Sequence, residues 1–334
     1  MGDKICTHSR GITDAIAGLD LKAKATCMLF SDIDGTLVHY HDQLEALGTV
    51  TTSTESKTGL QYRSKASGTA LDIIALPLSS TGLQAFISVE TLELVQNIRG
   101  AGAMLVIISG ARVSTVTSRI PMLPTADVYV MENGGRIFYN TAAGGSGLTP
   151  FTEDMAWRER HAPWTGSLSE AALDVEDRPS QLWQMYRTLR SQGWTVDANS
   201  YSTSFRVKGP NAKSPSLDLD ETLWKLPTGL TYSRNLGMAD VYPETSGKHM
   251  AAKYLMEKYK KPKDQTFVMC DDDNDMRLAT VCSHAYLPTI ACDSVRVAAE
   301  SDPSRFSISS VGGIEGTHEA LRNLMGYIYQ MGVN

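Results

Sequence analysis

The stretch that decides the predicted fold is Ala25-Thr26-Cys27-Met28-Leu29-Phe30-Ser31-Asp32-Ile33-Asp34-Gly35-Thr36. Its first half is a short apolar run, which is typical of a buried β-strand. Its second half contains two carboxylates and a glycine, which are typical of a turn. The sequence therefore predicts a buried strand that ends where Asp32 and Asp34 begin.

Two further apolar runs end in polar residues in the same way. The run 104–108 is followed by Ser109 and Gly110, and the run 267–270 is followed by Asp271. Helices are predicted between the strands, as at 248–259. Strands that alternate with helices predict an α/β fold with a doubly wound parallel sheet. Because ligands bind at the carboxyl ends of the strands in such sheets, we expect these polar side chains to meet in one site.

The middle of the chain follows a different pattern. A helix is predicted at 179–190, a strand at 201–208, a helix at 219–226 and further strands near 230 and 241. This order is typical of a smaller α+β domain. The sequence Gly144-Gly145-Ser146-Gly147 has the composition of a flexible connector. We therefore predict a core of residues 1–145 and 240–334 and a second domain over 146–239.

An insertion of about residues 41–82 interrupts the predicted core. It is rich in Ser, Thr and Gly and lacks a clear apolar period, which indicates loops or small hairpins. Two hypotheses fit it: a lid over the site, or the dimerisation element of a homodimer. Both stay open at this point.

Composition narrows the class of protein. The chain has 334 residues, 42% hydrophobic and 20% charged, which suits a folded core and excludes a disordered chain. Its 31 basic and 37 acidic residues give a net charge of −6, which argues against a nucleic-acid or membrane partner. No apolar run approaches the roughly 20 residues of a membrane helix. Five dispersed cysteines favour a reducing, cytoplasmic setting.

The carboxylates indicate metal-assisted phosphoryl chemistry. Carboxylates gathered in one site raise each other's pKa unless a cation is present, and Mg²⁺ takes oxygen ligands and pairs with phosphate. A carboxylate beside such an ion can attack phosphorus and form an aspartyl-phosphate. A second carboxylate can protonate the leaving alcohol, so Asp32 and Asp34 have the residue types of nucleophile and acid/base. By itself, the Asp-x-Asp-Gly-Thr sequence is also compatible with an Asx-rich turn.

Ser109 and Lys248 are the candidates for binding the phosphoryl oxygens, which need donors and cations around them. Ser109 before Gly110 is equally compatible with a helix cap. Lys248 at the start of a helix is compatible with a solvated lysine, although the positive end of the helix dipole disfavours a cation.

Four motifs occur in order along the chain: Asp32-Ile33-Asp34-Gly35-Thr36, Ser109-Gly110-Ala111-Arg112, Gly247-Lys248 and Asp271-x-x-Asn274-Asp275. Together they resemble the motifs of the haloacid dehalogenase (HAD) superfamily of phosphohydrolases. A domain between the second and third motifs is similar to the large mixed α/β cap of Cof-type sugar phosphatases and sucrose-phosphate phosphatase. The resemblance implies a Rossmann-like core that carries a cap.

The resemblance also implies roles for individual residues. Asp32 would be the nucleophile and a Mg²⁺ ligand, and Asp34 the general acid/base with its backbone carbonyl on the metal. Asp271 would bind the metal directly, Asp275 would bind it or hold its waters, and Asn274 would orient the site. The residues that would grip the phosphoryl group are Ser109, Gly110 and Lys248.

Three basic residues are candidate contacts to the substrate. Arg206 and Lys208 share one face of a predicted cap strand, and in capped relatives the inner face of the cap meets the leaving group. Arg112 lies near the phosphate-binding edge. A solvated strand face for Arg206 and Lys208, and a helix cap for Arg112, are the alternatives. Sugar stacking or core packing are the two interpretations of the tryptophans Trp157, Trp164 and Trp183.

We therefore predict a cytoplasmic, Mg²⁺-dependent phosphatase that acts on a small phosphorylated metabolite, such as a sugar phosphate. One alternative is a phosphomutase or phosphotransferase that uses the same intermediate. A more distant alternative is a non-catalytic phosphometabolite-binding protein.

Overall fold

A computed structural model of the chain describes residues 25–79, 82–141, 151–212, 218–235 and 238–332. The predicted connector Gly144-Gly145-Ser146-Gly147 lies outside the described residues, as do residues 1–24 of the predicted core. In chain order, the strands are β1 Cys27–Ser31, β2 His39–Tyr40, β3 Gly48–Thr52, β4 Leu60–Ser64, β5 Ala70–Ala75, β6 Ala85–Ser88, β7 Ala103–Ile108, β8 Val128–Met131, β9 Arg136–Asn140, β10 Phe151–Glu153, β11 Trp194–Asp197, β12 Phe205–Pro210, β13 Leu230–Asn235, β14 Met238–Pro243, β15 Thr266–Met269, β16 His284–Leu287 and β17 Phe306–Ile308. The helices are α1 His41–Leu47, α2 Val89–Gly100, α3 Val113–Arg119, α4 Met155–Glu159, α5 Ala162–Thr165, α6 Leu168–Ala171, α7 Gln181–Ser191, α8 Leu219–Leu223, α9 Lys248–Lys258, α10 Met276–Val281, α11 Asp293–Ser301 and α12 Gly313–Gly332.

Strand β1 lies inside an eight-stranded sheet with the order β10-β9-β8-β7-β1-β15-β16-β17. It pairs in parallel with β7 on one side and with β15 on the other. The pairs β8–β9 and β9–β10 are antiparallel and lie at one end of the sheet. The three strands that were predicted to end in polar side chains are therefore direct neighbours.

Both faces of this sheet are buried, which explains why β1 reads as a continuous apolar run. Cys27 and Leu29 belong to one apolar cluster, and Met28 and Phe30 belong to another. The first cluster contains residues of α2 and α12, and the second contains residues of α9, α10 and α11. Helices on both faces of a mostly parallel sheet confirm the predicted doubly wound α/β core.

A separate antiparallel sheet with the order β11-β12-β14-β13 confirms the predicted α+β cap. Helix α7 packs its apolar stripe, which includes Leu182 and Trp183, into the cluster beneath this sheet. The prediction of a strand over 201–208 was wrong in its first half, because β12 begins at Phe205. The backbone N–H groups of Ser202 and Thr203 donate to the Glu132 carboxylate instead of a neighbouring strand.

The turn Glu132-Asn133-Gly134-Gly135 joins β8 to β9 and also connects the core to the cap. Glu132 and Asn133 both have positive φ, 53° and 55°. The Glu132 side chain is fully buried, and its Oε2 accepts from Ser202 N (2.9 Å), Thr203 N (2.8 Å) and Thr203 Oγ1 (2.7 Å). A buried carboxylate that is bonded this fully fixes the cap segment against the core turn.

The insertion is more regular than the predicted loops and small hairpins. Hairpins β3–β4 and β4–β5 are present, but they join β6 and β2 in a five-stranded sheet with the order β2-β6-β5-β4-β3. Helix α1, which the sequence did not predict, packs Leu44 with Tyr62 of β4 and Ile314 of α12. These apolar residues are far apart in sequence, so no local period reveals their common core.

The two sheets divide the chain differently from the predicted boundaries at 146 and 240. Strand β10, which was placed in the second domain, pairs with β9 in the central sheet. Strand β14 belongs to the smaller sheet as far as Pro243. The division into folding domains stays a prediction.

Two findings bear on membranes and on cysteine chemistry. None of the helices in the described part of the chain combines the length and apolarity needed to cross a bilayer. Cys27, Cys270, Cys282 and Cys292 carry free thiols, and burial raises the pKa of Cys282 to about 12.

We predict that Gly134→Ala destabilises the protein far more than Gly68→Ala. Both glycines have positive φ, 86° and 73°, so both substitutions carry the cost of about 1 kcal/mol or more of a side chain in this region. A Cβ at Gly134 would also lie 2.3 Å from the Gly247 carbonyl oxygen, whereas nothing lies within 4 Å at Gly68. The free energy of unfolding in urea would fall by at least about 2 kcal/mol more for Gly134→Ala. Equal losses for the two variants would contradict this close approach.

Candidate active site

The ends of β1, β7 and β15 place Asp32, Ser109 and Asp271 around one cavity of about 260 Å³. Asp34, Gly110, Asn274, Arg112 and Arg206 also line this cavity, so it brings together eight of the predicted site residues. Lys248 and Asp275 do not line it, but Lys248 Nζ contacts the carboxylates of both Asp32 and Asp275. The expected convergence at the sheet edge therefore occurs.

Three buried carboxylates form the centre of the site. Oxygen atoms of Asp32, Asp271 and Asp275 lie within 4.8 Å of one another. Burial raises the pKa of all three carboxyls, and the charges of Asp32 and Asp275 raise the pKa of Asp271 further. The cluster therefore needs positive charge to remain ionised near neutral pH.

Lys248 supplies part of this positive charge. Its Nζ lies 3.0 Å from Asp32 Oδ2 and 2.8 Å from Asp275 Oδ1, and its side chain is 2% exposed. Burial alone would lower the pKa of Lys248, but attraction to Asp275 and Asp32 outweighs burial and raises it above its ordinary value. The interpretation of Lys248 as a solvated lysine is therefore wrong.

One lysine does not neutralise three carboxylates, and the remaining donor atoms fit a divalent cation. Within the described part of the chain, Asp275 Oδ2 and Asn274 Oδ1 are buried without a hydrogen-bond partner. Unpartnered buried oxygens beside carboxylates are the donor set that Mg²⁺ prefers. The acidic cluster can therefore hold a metal ion.

The turn after β1 packs directly against Asp271. Gly35 has φ of 77°, and a Cβ there would lie 2.0 Å from Asp271 Oδ2. Thr36 Oγ1 donates to Asp271 Oδ1 at 3.1 Å. The Gly-Thr pair of the first motif thus has a specific role, which is to seat the Asp271 carboxylate beside Asp32.

Asp34 has a different environment from Asp32. Its Oδ1 accepts from Arg119 NH1 at 2.7 Å, and its side chain is 28% exposed, compared with 9% for Asp32. Arg119, at the end of α3, is itself 1% exposed. Arg119 was not among the predicted site residues, because an arginine in the last turn of a helix normally lies at the surface and compensates the helix dipole.

The phosphate-binding candidates Ser109 and Gly110 occupy the turn after β7. Ser109 Oγ accepts from the backbone N–H of Ala111 at 3.1 Å, so the hydroxyl also has a local turn role. Its hydroxyl proton remains available as a donor, since a hydroxyl can accept and donate at once. Ser109 thus bonds within the turn before α3, whose N-cap is Arg112, and its role as a phosphate ligand stays a prediction.

The basic substrate candidates are all paired with acidic side chains. Arg112 donates to Asp197 Oδ2 at 2.9 Å, and Arg206 forms two bonds to Asp240 at 2.6 and 2.8 Å. Both arginines line the cavity, and Arg112 makes no side-chain cap bond to α3. Lys208 lies 3.0 Å from Asp197 and outside the cavity lining.

The tryptophans of the cap region serve packing. Trp157 and Trp183 are almost completely buried, and their Nε1 atoms donate to the backbone carbonyls of Gly134 (2.8 Å) and Thr165 (2.9 Å). Trp164 packs against the cap cluster. The sugar-stacking interpretation is therefore wrong for Trp157 and Trp183.

The fold and the site together define a phosphoric monoester hydrolase of the HAD superfamily, which confirms the resemblance. The model of the sucrose-6F-phosphate phosphohydrolase family matches residues 87–286. The chain belongs to this family. It acts as a phosphatase on a phosphorylated substrate.

Solved structures share the fold at low sequence identity. The sucrose-phosphatase of Synechocystis sp. PCC6803, solved with sucrose and phosphate, is 13% identical, with a TM-score of 0.58 over 91% of this chain and 98% of that chain. The HAD subclass IIB sugar phosphatase BT4131 is 14% identical, with a TM-score of 0.52 over 90% and 99%. The phosphatase BT1666 from Bacteroides thetaiotaomicron is 12% identical, with a TM-score of 0.50 over 93% and 97%. No curated protein matches the chain.

We predict that Asp271→Asn stabilises the metal-free protein and removes its stabilisation by metal. The pKa of folded Asp271 lies above the ordinary 3.8, so its ionisation reduces stability progressively as pH rises above about 4. At pH 7 in chelator, removal of this charge would raise stability by about 1 kcal/mol or more, and Tm by roughly 2 °C or more. Thermal melts with chelator and with Mg²⁺ measure both effects.

The matched control is Asp264→Asn, which removes an exposed carboxylate on the turn before β15. It would leave both melts unchanged. An unchanged Tm of Asp271→Asn in chelator would show that the Asp271 charge does not strain the fold.

Proposed function

We propose that the protein is a Mg²⁺-dependent phosphatase that hydrolyses a sugar monophosphate through an aspartyl-phosphate on Asp32. The observation that carries this proposal is the position of the Asp32 carboxylate. It lines the cavity together with Asp271, and its Oδ2 contacts Lys248, which lies outside the cavity lining. The family match and the fold of the sugar phosphatases support a sugar phosphate as the substrate class.

Asp32 is positioned for the first step. One carboxylate oxygen, Oδ2, is held by Lys248, which fixes the orientation of the side chain. The other oxygen attacks phosphorus in line with the leaving alcohol. Ser109 Oγ and the backbone at Gly110 donate to the phosphoryl oxygens. Lys248, which is paired with Asp32, adds positive charge near them. Mg²⁺, held by Asp32, Asp271, Asp275 and the Asp34 carbonyl, would neutralise charge that develops on the phosphoryl group.

Asp34 is the acid/base in this scheme. It lines the cavity and is the more exposed of the two motif carboxylates, so a leaving alcohol can reach it. It gives its proton to the leaving oxygen in the first step and takes a proton from water in the second. Arg119 NH1 donates to Asp34 Oδ1 at 2.7 Å, and the Tyr40 hydroxyl also hydrogen-bonds to this carboxylate, so the side chain is held at the cavity wall.

We propose a reducing, cytoplasmic setting, on the dispersed free thiols. The homodimer stays a prediction.

We predict that Asp32→Asn lowers phosphate release by at least about a thousandfold, because an amide cannot form the acyl phosphate. Release of inorganic phosphate from a panel of sugar monophosphates and p-nitrophenyl phosphate, with Mg²⁺ or with chelator, measures this loss. Chelation would abolish turnover by the unmodified protein.

Asp264→Asn is again the matched control and would retain full turnover. Undiminished turnover in Asp32→Asn would overturn the nucleophile. Isomerisation of a hexose phosphate without release of phosphate would favour the phosphomutase alternative. Tight binding without any turnover on the panel would favour the non-catalytic one.

A further inference from the structure

The insertion contributes to the wall of the active-site cavity. Asp42 and Gln43, in the first turn of α1, line the same cavity as Asp32, and so do Ser79 near the end of the insertion and Leu83 just after it. From the cap, Tyr201 and Arg206 line it as well. A leaving group attached to the phosphoryl group therefore lies between the insertion and the cap.

The insertion is anchored, so its wall is preformed. His39 Nε2, in the strand before α1, lies 2.9 Å from Thr317 Oγ1 of α12. Leu44 of α1 is fully buried in a cluster with Tyr62 and Ile314. Side chains on the first turn of α1 are thus held by the core and do not depend on closure of the cap.

The charges around the cavity are unequal. Within the described chain, the basic side chains that line it are Arg112 and Arg206. Arg206 pairs with Asp240, and Arg112 shares Asp197 with Lys208. Asp42 is exposed and has no ion-pair partner among the described residues. Its Oδ1 accepts from the backbone N–H of Gln43 at 3.0 Å, which leaves other lone pairs free.

A carboxylate without an ion-pair partner, beside arginines that already have one, favours a particular class of ligand. It accepts hydrogen bonds from hydroxyl groups, and it repels a second phosphate or a carboxylate on the same substrate. Each arginine is already bonded to a carboxylate, which weakens its attraction for such an anion.

We propose that the first turn of α1 is a leaving-group subsite in which Asp42 binds the hydroxyl groups of an uncharged sugar and excludes substrates with a second anionic group. This proposal rests on the proposed function of the site and deepens it. It gives the insertion the role of a substrate wall and makes Asp42 a specificity-determining residue.

The test compares two ligands that differ in charge away from the phosphate, glucose 6-phosphate and 6-phosphogluconate. Isothermal titration calorimetry in Mg²⁺ on the full chain carrying Asp32→Asn gives dissociation constants without turnover. This Asp32→Asn chain, the parent of the variants below, would bind glucose 6-phosphate at least about tenfold more tightly than 6-phosphogluconate. Asp42→Asn, which can still accept the Gln43 N–H bond, would reduce this preference to within about threefold, and Asp42→Lys would reverse it.

Glu55→Lys is the matched control, since Glu55 is an exposed carboxylate of the same insertion outside the cavity lining. It would keep the parental preference. Thermal melts of the Asp42 variants check that α1 remains folded, and a merely structural role of Asp42 would weaken both ligands equally.

The proposal is overturned if the preference in Asp42→Asn and Asp42→Lys equals that of the parent, or if neither ligand binds the parent at millimolar concentration. Hydrolysis of p-nitrophenyl phosphate by the unmodified chain separates this result from failure of the proposed function. If the unmodified chain hydrolyses p-nitrophenyl phosphate but the Asp42 variants keep the parental ligand preference, only the subsite proposal is rejected. If the unmodified chain does not hydrolyse p-nitrophenyl phosphate but the Asp42 variants change the ligand preference, the phosphatase proposal is rejected and the subsite is retained.

Discussion

The ion pairs of Lys248 with Asp32 and Asp275 are the interaction on which the site depends. Three carboxylates within 4.8 Å of one another repel strongly in a buried environment, and the lysine at 2.8 to 3.0 Å offsets part of that repulsion. The carboxylates also make the first residue of α9 a favourable place for a cation, which the helix dipole alone would disfavour. Core strand, helix and acidic turn are therefore linked through charge as well as packing.

The packing of these segments explains why glycine occupies two positions at which the backbone lies very close to another part of the chain. Gly35 allows the turn after β1 to reach Asp271, and Gly134 allows the turn after β8 to reach Gly247, directly before Lys248. The second turn also carries Glu132, whose buried carboxylate holds Ser202 and Thr203 of the cap. The turn after β8 therefore both contacts the residue before Lys248 and binds the cap.

The two motif aspartates show how one sequence pattern yields two chemical environments. Asp32 lies in the buried carboxylate cluster beside Lys248, whereas Asp34 pairs with Arg119 and faces the cavity. Carboxylates in different environments can take the roles of nucleophile and acid/base. The insertion and the cap complete the cavity from two sides, whereas the clustered carboxylates and Ser109 come from the core.

The α/β core, the α+β cap and the polar strand ends could be predicted from the sequence, because they depend on local periodicity and on residues adjacent to a strand. Asp32, Asp34, Ser109 and Asp271 could be predicted for this reason. Arg119, the pairing of Arg206 with Asp240, and the wall formed by Asp42 required the tertiary structure. These contacts join residues that are distant in sequence, and no local pattern encodes which charges meet. The insertion shows the same limit, since the apolar side chains of its core come from strands and helices that only folding brings together.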